Sequence, residues 1–350
     1  MRACLNVDEI VRLVASELIA SKAKATAVAL ACCRKNFEDP VLDALWATQE
    51  SLSPLLRSLP GDVWVTGEDV GVPTIFVLPL LNSFIPKCLK WPPTVSEWGQ
   101  FRKYACRMRQ LRERVSPNSP PPTVFSSQQL CAVNEPLFPN LKTLELWSIA
   151  GELIPFIPSF LSPRTTGINI TFQVGSSLSG VMVAPMIATF PTLCPNLQHI
   201  SLHTLPRDPM VTDAVSAMLL ATNHNALHCF HVDSPLTKVA CKVISKLPDL
   251  RGLSMVVEKN TLLSPVVLPN LTDLVIQCDQ DSDWSRMFHG ATLGKLKAVT
   301  LYSESYQAYD FLEEFERVTP ATSTRNTLSK FQLYTSYSWN PNYPSLLPFM

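Results

Sequence analysis

The sequence predicts an α/β repeat fold, a solenoid of parallel strands and helices that follows a small three-helix unit, and three observations carry this. A nine-residue phrase returns along the chain, as Phe138-Pro-Asn-Leu-Lys-Thr-Leu-Glu-Leu146, Cys194-Pro-Asn-Leu-Gln-His-Ile-Ser-Leu202 and Leu268-Pro-Asn-Leu-Thr-Asp-Leu-Val-Ile276. Its core spacing, an apolar residue followed by two more at three and five positions on, recurs in weaker copies. After several copies the apolar period changes from the two of a strand to the 3.6 of a helix.

The copies begin at Leu141, Thr165, Leu197, Leu227, Leu250, Leu271, Leu296 and Leu328, so the steps between them are 24, 32, 30, 23, 21, 25 and 32 residues. Most lie in or near the roughly 20–29 residues of a leucine-rich repeat, and the longer ones leave room for a fuller helix. Within a copy, the two apolar residues spaced by two fit one face of a short strand, and the earlier one turns in from the loop before it. Helical periods follow at Val211, Val215, Met218 and Leu219, and at Phe311, Leu312, Phe315 and Val318. A third runs through Leu236, Val239, Ala240, Val243, Ile244 and Leu247, with Ser234 and Pro235 as expected N-cap and first-turn proline. A single strand-turn-helix coil buries little. Stacked coils bury a continuous core, with parallel strands on a concave face and helices on a convex one. The Pro-Asn or Pro-Asp before each strand fits a turn that ends a helix.

Bulk composition narrows the function. The chain has 350 residues, 29 basic and 29 acidic, for a formal net charge of zero. No global field draws it to nucleic acid or to an anionic membrane, and neither is an expected partner. The amino terminus carries Asp8 and Glu9 where a signal peptide would have its apolar run. The apolar stretch from Val70 to Pro86 is broken by Pro73, Pro79 and Asn82 and is too short to span a bilayer. The ten cysteines contain no C-x-x-C pair, as expected of reduced, buried thiols in the cytoplasm or nucleus. On that view the acceptor tripeptides at Asn169 and Asn270 are coincidental.

Residues 1–46 differ in character. Ile10, Leu13, Val14, Glu17 and Leu18 share one helical face, a second helix is expected over Lys22 to Phe37, and Asp39-Pro40 breaks it before a third at Val41, Leu42, Leu45 and Trp46. The stretches Leu5-Asn-Val-Asp-Glu-Ile-Val-Arg-Leu-Val-Ala-Ser-Glu-Leu18, Ala27-Val-Ala-Leu-Ala-Cys-Cys-Arg-Lys-Asn-Phe37 and Asp39-Pro-Val-Leu-Asp-Ala-Leu-Trp46 together resemble an F-box. The whole chain then resembles the F-box proteins with degenerate leucine-rich repeats of fungal type. Val7 stands where the family commonly has proline.

The resemblance implies that this unit packs apolar groups against a Skp-family adaptor, which joins it to a cullin-based SCF ubiquitin ligase. Carried over by position, the adaptor face would draw on Leu5, Ile10, Leu13, Leu18, Leu30, Cys33, Phe37, Leu42 and Trp46. Three helices this short cannot hide so many apolar groups, so the same residues are expected to divide between docking and internal packing.

Residues 47–130 read as a helical connector. A helix is expected over Gln49 to Leu59, and another carries Trp98, Phe101, Tyr104, Ala105, Met108 and Leu111 on one side and Arg102, Lys103, Arg107, Arg109, Arg112 and Arg114 on the other. Such a basic helix can bind nucleic acid, membrane or calmodulin, but in a neutral chain it more often caps the first coil. Ser116 to Thr123, rich in proline, reads as an exposed linker. The solenoid then occupies 131–350. No polar terminal cap is visible, so an exposed apolar edge is expected around Leu333 to Phe349.

No motif points to an enzyme or a cofactor: there is no glycine-rich phosphate loop, nucleophile elbow or H-E-x-x-H. His224, His228 and His231 could hold zinc on a helix, but the repeat makes 227–232 a strand and sets His228 and His231 on opposite sides, so no metal site is expected. What remains is recognition. The strand positions between the last two apolar residues are Glu145, Asn169, Ser201, His231, Ser254, Val275, Thr300 and Gln332, and those just past the strand are Trp147, Thr171, His203, Asp233, Val256, Gln277, Tyr302 and Tyr334. Trp147, His203, His231, Asp233, Tyr302 and Tyr334 are the expected anchors for a protein substrate. The expected function is a non-catalytic substrate receptor, with an interaction scaffold lacking any ligase link as the alternative.

Overall fold

The computed structural model describes residues 7–63, 93–114, 135–173, 178–257, 268–278, 295–303 and 329–335. The chain divides into two compact units, Met1–Thr165 and Thr166–Met350.

The first unit opens with helices α1 (Val7–Ala20), α2 (Lys24–Cys33) and α3 (Lys35–Ala47). They close around Val11, Ala15, Ala27 and Val41, small residues that let three short helices approach, with Leu18, Ile19, Leu30, Phe37 and Leu45 packed against them. Asp8 and Glu9 sit in the first turn of α1, where the helix dipole favours them. The break after α2 falls at Arg34, which is extended, and not at Asp39-Pro40. Pro40 lies inside α3 as its sixth residue, where its missing N–H removes one backbone hydrogen bond of the helix.

The next segments differ from the sequence reading. α3 runs into a strand, β1 (Thr48–Gln49), and the expected helix over Gln49 to Leu59 reduces to one turn, α4 (Ser53–Leu56). The basic helix stops early. α5 spans Val95–Ala105, opened by a capping box between Thr94 and Glu97, and the chain then forms β2 (Gln110–Arg114). β1 pairs in parallel with β2, and β2 with β3 (Thr143–Ile149).

The reason is a hidden repeat: Met108, Leu111 and Glu113 have the same spacing as Leu141, Leu144 and Leu146, with a carboxylate in the third apolar slot. Glu113 is nevertheless buried, and its Oε2 accepts the backbone N–H of Leu52 at 2.5 Å. The strands therefore begin within 47–130 rather than at 131. After β3 come a 3-10 turn (Gly151–Phe156) and α6 (Ile157–Phe160).

In the second unit β4 (Gly167–Phe172), β5 (His199–His203), β6 (Cys229–Pro235), β7 (Gly252–Val257), β8 (Asp273–Cys278), β9 (Ala298–Ser303) and β10 (Lys330–Thr335) lie side by side in chain order. Every neighbouring pair is parallel. Between them lie α7 (Gly180–Leu193), α8 (Pro209–Ala221) and α9 (Lys238–Ile244), capped by Ser179, Asp208 and Thr237.

Alternation sorts the strand residues. Ile168, Ile170, Ile200, Leu202, Phe230, Val232, Leu253, Met255, Leu274, Ile276, Val299 and Leu301 are buried, together with Val183, Ile187 and Phe190 of α7 and Val211, Val215, Met218 and Leu219 of α8. Each such side chain contributes about 1.5–3 kcal/mol on leaving water. α8 lies where the spacing predicts it. α9 starts later than predicted, because Ser234 and Pro235 continue β6 through a register shift and Thr237 becomes the cap.

The recurring Pro-Asn has a role beyond ending helices. Asn140 Nδ2 donates to the Cys106 carbonyl at 2.6 Å while its Oδ1 accepts from Arg164 Nη1 at 2.5 Å. Asn270 likewise donates to the Pro248 carbonyl at 2.9 Å and accepts from Lys295 Nζ at 2.8 Å. Each asparagine thus ties one coil to the coil before and the coil after. A backbone fork repeats beside it: His228 and Cys229 N–H share the Gln198 carbonyl, Arg251 and Gly252 share that of His228, and Thr272 and Asp273 share that of Arg251.

The expected helix at Phe311–Val318, the linker at Ser116–Thr123, the stretch Val70–Pro86 and most of the expected edge, residues 336–350, lie outside the described residues. Among the described residues, no helix is long and apolar enough to cross a membrane.

Candidate functional site

Two surfaces, one in each unit, hold the residues singled out by the sequence. In the first unit α1 turns Val11 and Ala15, with Leu18 and Ile19, toward the unit's core. A second set of apolar residues faces solvent: Leu13 is 71% exposed, Val14 45% and Ile10 42%, and Val28 of α2 is 51% exposed. Exposed apolar groups in such a group mark a contact surface more often than chance exposure does.

Of the expected adaptor residues, Ile10, Leu13 and Cys33 are exposed, whereas Leu18, Leu30 and Phe37 are half-buried against the unit's own core and Leu42 is half-buried. Trp46 is committed elsewhere, stacked on Tyr104 of α5 with ring centroids 4.7 Å apart. Leu5 lies outside the described residues. Val14 and Val28 were not among the expected contacts. Periodicity alone could not select them, because α1 offers two apolar stripes and the sequence does not say which one turns inward.

Four basic residues of α5, β2 and the turn between them pair with acids of the same unit. Arg107 Nη2 bonds Asp39 Oδ1 at 2.5 Å and Nη1 bonds Asp43, both acids lying on α3. Burial alone would lower the Arg107 pKa, but its bonds to Asp39 and Asp43 outweigh that and raise it. Lys103 pairs with Glu38 at 3.8 Å, Arg102 with Glu135 at 3.7 Å and Arg112 with Glu145 at 3.2 Å. Arg102, Lys103, Arg107 and Arg112 are thus each paired with an acid of the same unit.

In the second unit the strand face turned away from the buried core carries three rows, the first of them Gly167, His199, Cys229, Gly252, Asp273, Ala298 and Lys330. The middle row is in the register the spacing predicts, Asn169, Ser201, His231, Ser254, Val275, Thr300 and Gln332. The row at the strand ends aligns Val256, Gln277, Tyr302 and Tyr334, but the register shift in β6 sets Pro235, not Asp233, opposite Val256. Asp233 instead accepts the backbone N–H groups of Thr204 and, at 3.0 Å, Leu205. Thr204 has φ 58°, a left-handed conformation that costs a β-branched residue, and the carboxylate holds it there. Burial raises the Asp233 pKa against the opposing pull of these two N–H groups.

Among the other expected anchors, Tyr302 and Tyr334 stack nearly parallel, centroids 4.8 Å apart. His203 Nε2 meets Ser201 Oγ at 2.7 Å. His231 lies over Gly252, where a Cβ would stand 2.9 Å from its Nε2. Trp147 is half-buried on β3 of the first unit, in register with Arg114.

The imidazoles gather on β5 and β6 but do not form a metal cage. β6 begins at Cys229, so the parity argument for His228 does not apply, and its ring meets that of His199 at 6.2 Å. His224 contacts the Leu219 carbonyl at 2.9 Å, behind α8. Among the described residues, no three His, Cys, Asp or Glu side chains converge as a metal site would require. Burial, then the nearby His228 and Arg251, lowers the pKa of His199; burial, then His203, lowers that of His231, with Asp273 opposing. Ser201 Oγ and His203 Nε2 thus form a close pair, while Asp233 is engaged with the backbone of Thr204 and Leu205.

No protein-family model matches the chain, and no curated protein matches it. One solved structure, a Bacteroides fragilis protein determined by a structural genomics consortium, is similar at 11% identity with a TM-score of 0.29, over 68% of this chain and 59% of that one. The chain thus spans under two thirds of that neighbour, and a likeness this small carries no argument.

Proposed function

We propose that the chain is the substrate-recognition subunit of an SCF-type cullin ubiquitin ligase, its three-helix unit an F-box that docks a Skp-family adaptor and its strand face a leucine-rich-repeat surface that holds a protein substrate. The observation that carries this is the exposure on α1: the helix turns Val11, Ala15, Leu18 and Ile19 to its own core and still leaves Ile10, Leu13 and Val14 in solvent, as α2 leaves Val28. Leaving those side chains in water forgoes roughly 1.5–3 kcal/mol each, an arrangement suited to a partner that covers them. The receptor makes no bond itself. It raises the local concentration of substrate lysines near the conjugating enzyme.

The test is co-purification with a recombinant Skp-type adaptor, comparing the intact chain with Ile10→Asp and Leu13→Asp. Deleting residues 1–46 is a poorer comparison, because it strips Trp46 from Tyr104 and Asp39 from Arg107. A complex formed by the intact chain and lost in both variants supports the ligase reading. An intact, folded chain that captures no adaptor would overturn it in favour of the interaction scaffold.

A further inference from the structure

Strands β7 to β10 present a strip with two unlike edges. Along the edge where the strands begin stand Arg251, Lys297 and Lys330, all exposed, brought together because successive coils share backbone forks at these positions. The one carboxylate among the described residues of that edge is Asp273, whose Oδ2 accepts from Thr272 Oγ1 at 2.6 Å. His199 and His228 continue the edge onto β5 and β6. The opposite edge is uncharged, with Val256, which is buried, then Gln277 and the stacked aromatic pair Tyr302 and Tyr334. Between them runs an uncharged floor, Ser254, Val275, Thr300 and Gln332. Lys330 stands four residues before Tyr334, about 13 Å, while Arg251 and Lys297, in the turns that enter β7 and β9, stand five before Val256 and Tyr302; the four strands span roughly 14 Å.

We infer that this strip binds an extended segment of a partner protein in which acidic and aromatic residues alternate, a conclusion that rests on the receptor reading and names its substrate class. An extended chain lying across the strands sends successive side chains to opposite sides. Its acidic residues reach Arg251, Lys297 and Lys330, and its aromatic residues reach Tyr302 and Tyr334. Roughly four or five residues of such a segment cover the four strands. The hydroxyls of Ser254 and Thr300 and the amide of Gln332 lie where its backbone N–H and C=O groups need partners. A segment with lysines in place of the acids meets three cations, and one with serines in place of the aromatics leaves the tyrosine stack uncovered.

The test is fluorescence anisotropy of the full chain with a labelled peptide of alternating glutamate and phenylalanine, roughly eight residues long to exceed the width of the strip. Saturable binding is expected, weakened about ten-fold or more by the paired change Lys297→Glu and Lys330→Glu, and similarly by Tyr302→Ala. The lysine-phenylalanine and glutamate-serine peptides should each bind about ten-fold more weakly. Circular dichroism establishes that each variant is folded. The inference is overturned if the folded chain does not bind the first peptide saturably, if either control peptide binds as well, or if a single-stranded oligonucleotide displaces it more effectively than unlabelled peptide does. Adaptor capture is read separately: Leu13→Asp should bind the peptide normally and the lysine variant should keep the adaptor, so either reading can fail alone.

Discussion

The indole of Trp46 stacks on the ring of Tyr104, centroids 4.7 Å apart and planes 25° from parallel, so the last turn of α3 is held to α5 by an aromatic pair. A half-buried tryptophan in such a pair supplies both area and ring contact. Trp46→Ala should cost about 2–3 kcal/mol in urea denaturation, and a double-mutant cycle with Tyr104→Ala should give a coupling of about 1 kcal/mol. If Trp46 were chiefly an adaptor contact, stability would be unchanged and only capture would suffer.

The two stripes of α1 should respond in opposite ways. Leu13→Asp places a carboxylate in water and should change stability by about 0.5 kcal/mol or less. Ala15→Asp buries one without a partner among Val11, Ala27 and Val41 and should cost more than about 3 kcal/mol. Thermal denaturation of the two variants separates a surface stripe from a core stripe.

Arg107 joins α3 to the segment after α5 through Asp39 and Asp43, and its side chain is 14% exposed. Arg107→Ala leaves two carboxylates facing each other without their cation and should cost about 2 kcal/mol, between the values for surface and buried pairs. Asp39→Asn should cost less than about 1 kcal/mol, because that carboxylate is largely in solvent. Equal losses from the two variants would contradict this division.

Gly180 begins α7 where the neighbouring coil's Asp208, the N-cap of α8, occupies the place of a side chain; a Cβ there would meet the Asp208 carboxylate and lie 2.9 Å from its Cβ. Gly180→Ala must push Asp208 off its cap and should cost about 2 kcal/mol. Asp208→Ala alone should cost about 1 kcal/mol, and the double variant should be less destabilised than the sum, since the clash goes with the carboxylate.

Stability should fall on mild acidification. His199 and His231 have pKa values lowered from the ordinary 6.5, so between the lowered values and 6.5 the unfolded chain binds more protons than the native one. Native stability therefore declines as the pH drops through that window and levels off below it. His199→Gln with His231→Gln should flatten the decline in urea midpoints measured from pH 7 to pH 5. A decline of unchanged size in the double variant would assign it to other groups.

Much of the second unit was legible in the sequence because its signal is local. The spacing of Leu197, Ile200 and Leu202 fixes a strand, its inward face and its register with Leu227, Phe230 and Val232, since side chains alternate with a period of two wherever one face is buried. The same spacing failed at β1 and β2. There Gln49 and Glu113 fill apolar slots, each held by a hydrogen bond, Gln49 Nε2 to the Leu45 carbonyl and Glu113 to the Leu52 N–H. A hydropathy pattern cannot register a polar residue whose partner lies 61 positions away. The basic run from Arg102 to Arg114 read as a single helix because Phe101, Ala105, Met108 and Leu111 keep helical steps of four, three and three, and pairing with β1 and β3 overrides that period from Gln110 on.

The sequence by itself determined the repeat, the inward residues of its strands, the helices after β5 and β6 and the presence of three helices at the start, but not α7, which it did not predict. Those follow from the periodicity of apolar side chains along the chain. Only the tertiary structure decided which stripe of α1 is buried, that Trp46 belongs to Tyr104, that Asp233 serves the backbone of Thr204 and Leu205, and that cations and tyrosines line opposite edges of one strip. Each of those depends on which distant residue arrives at a given place, and that is set by packing and pairing rather than by local period.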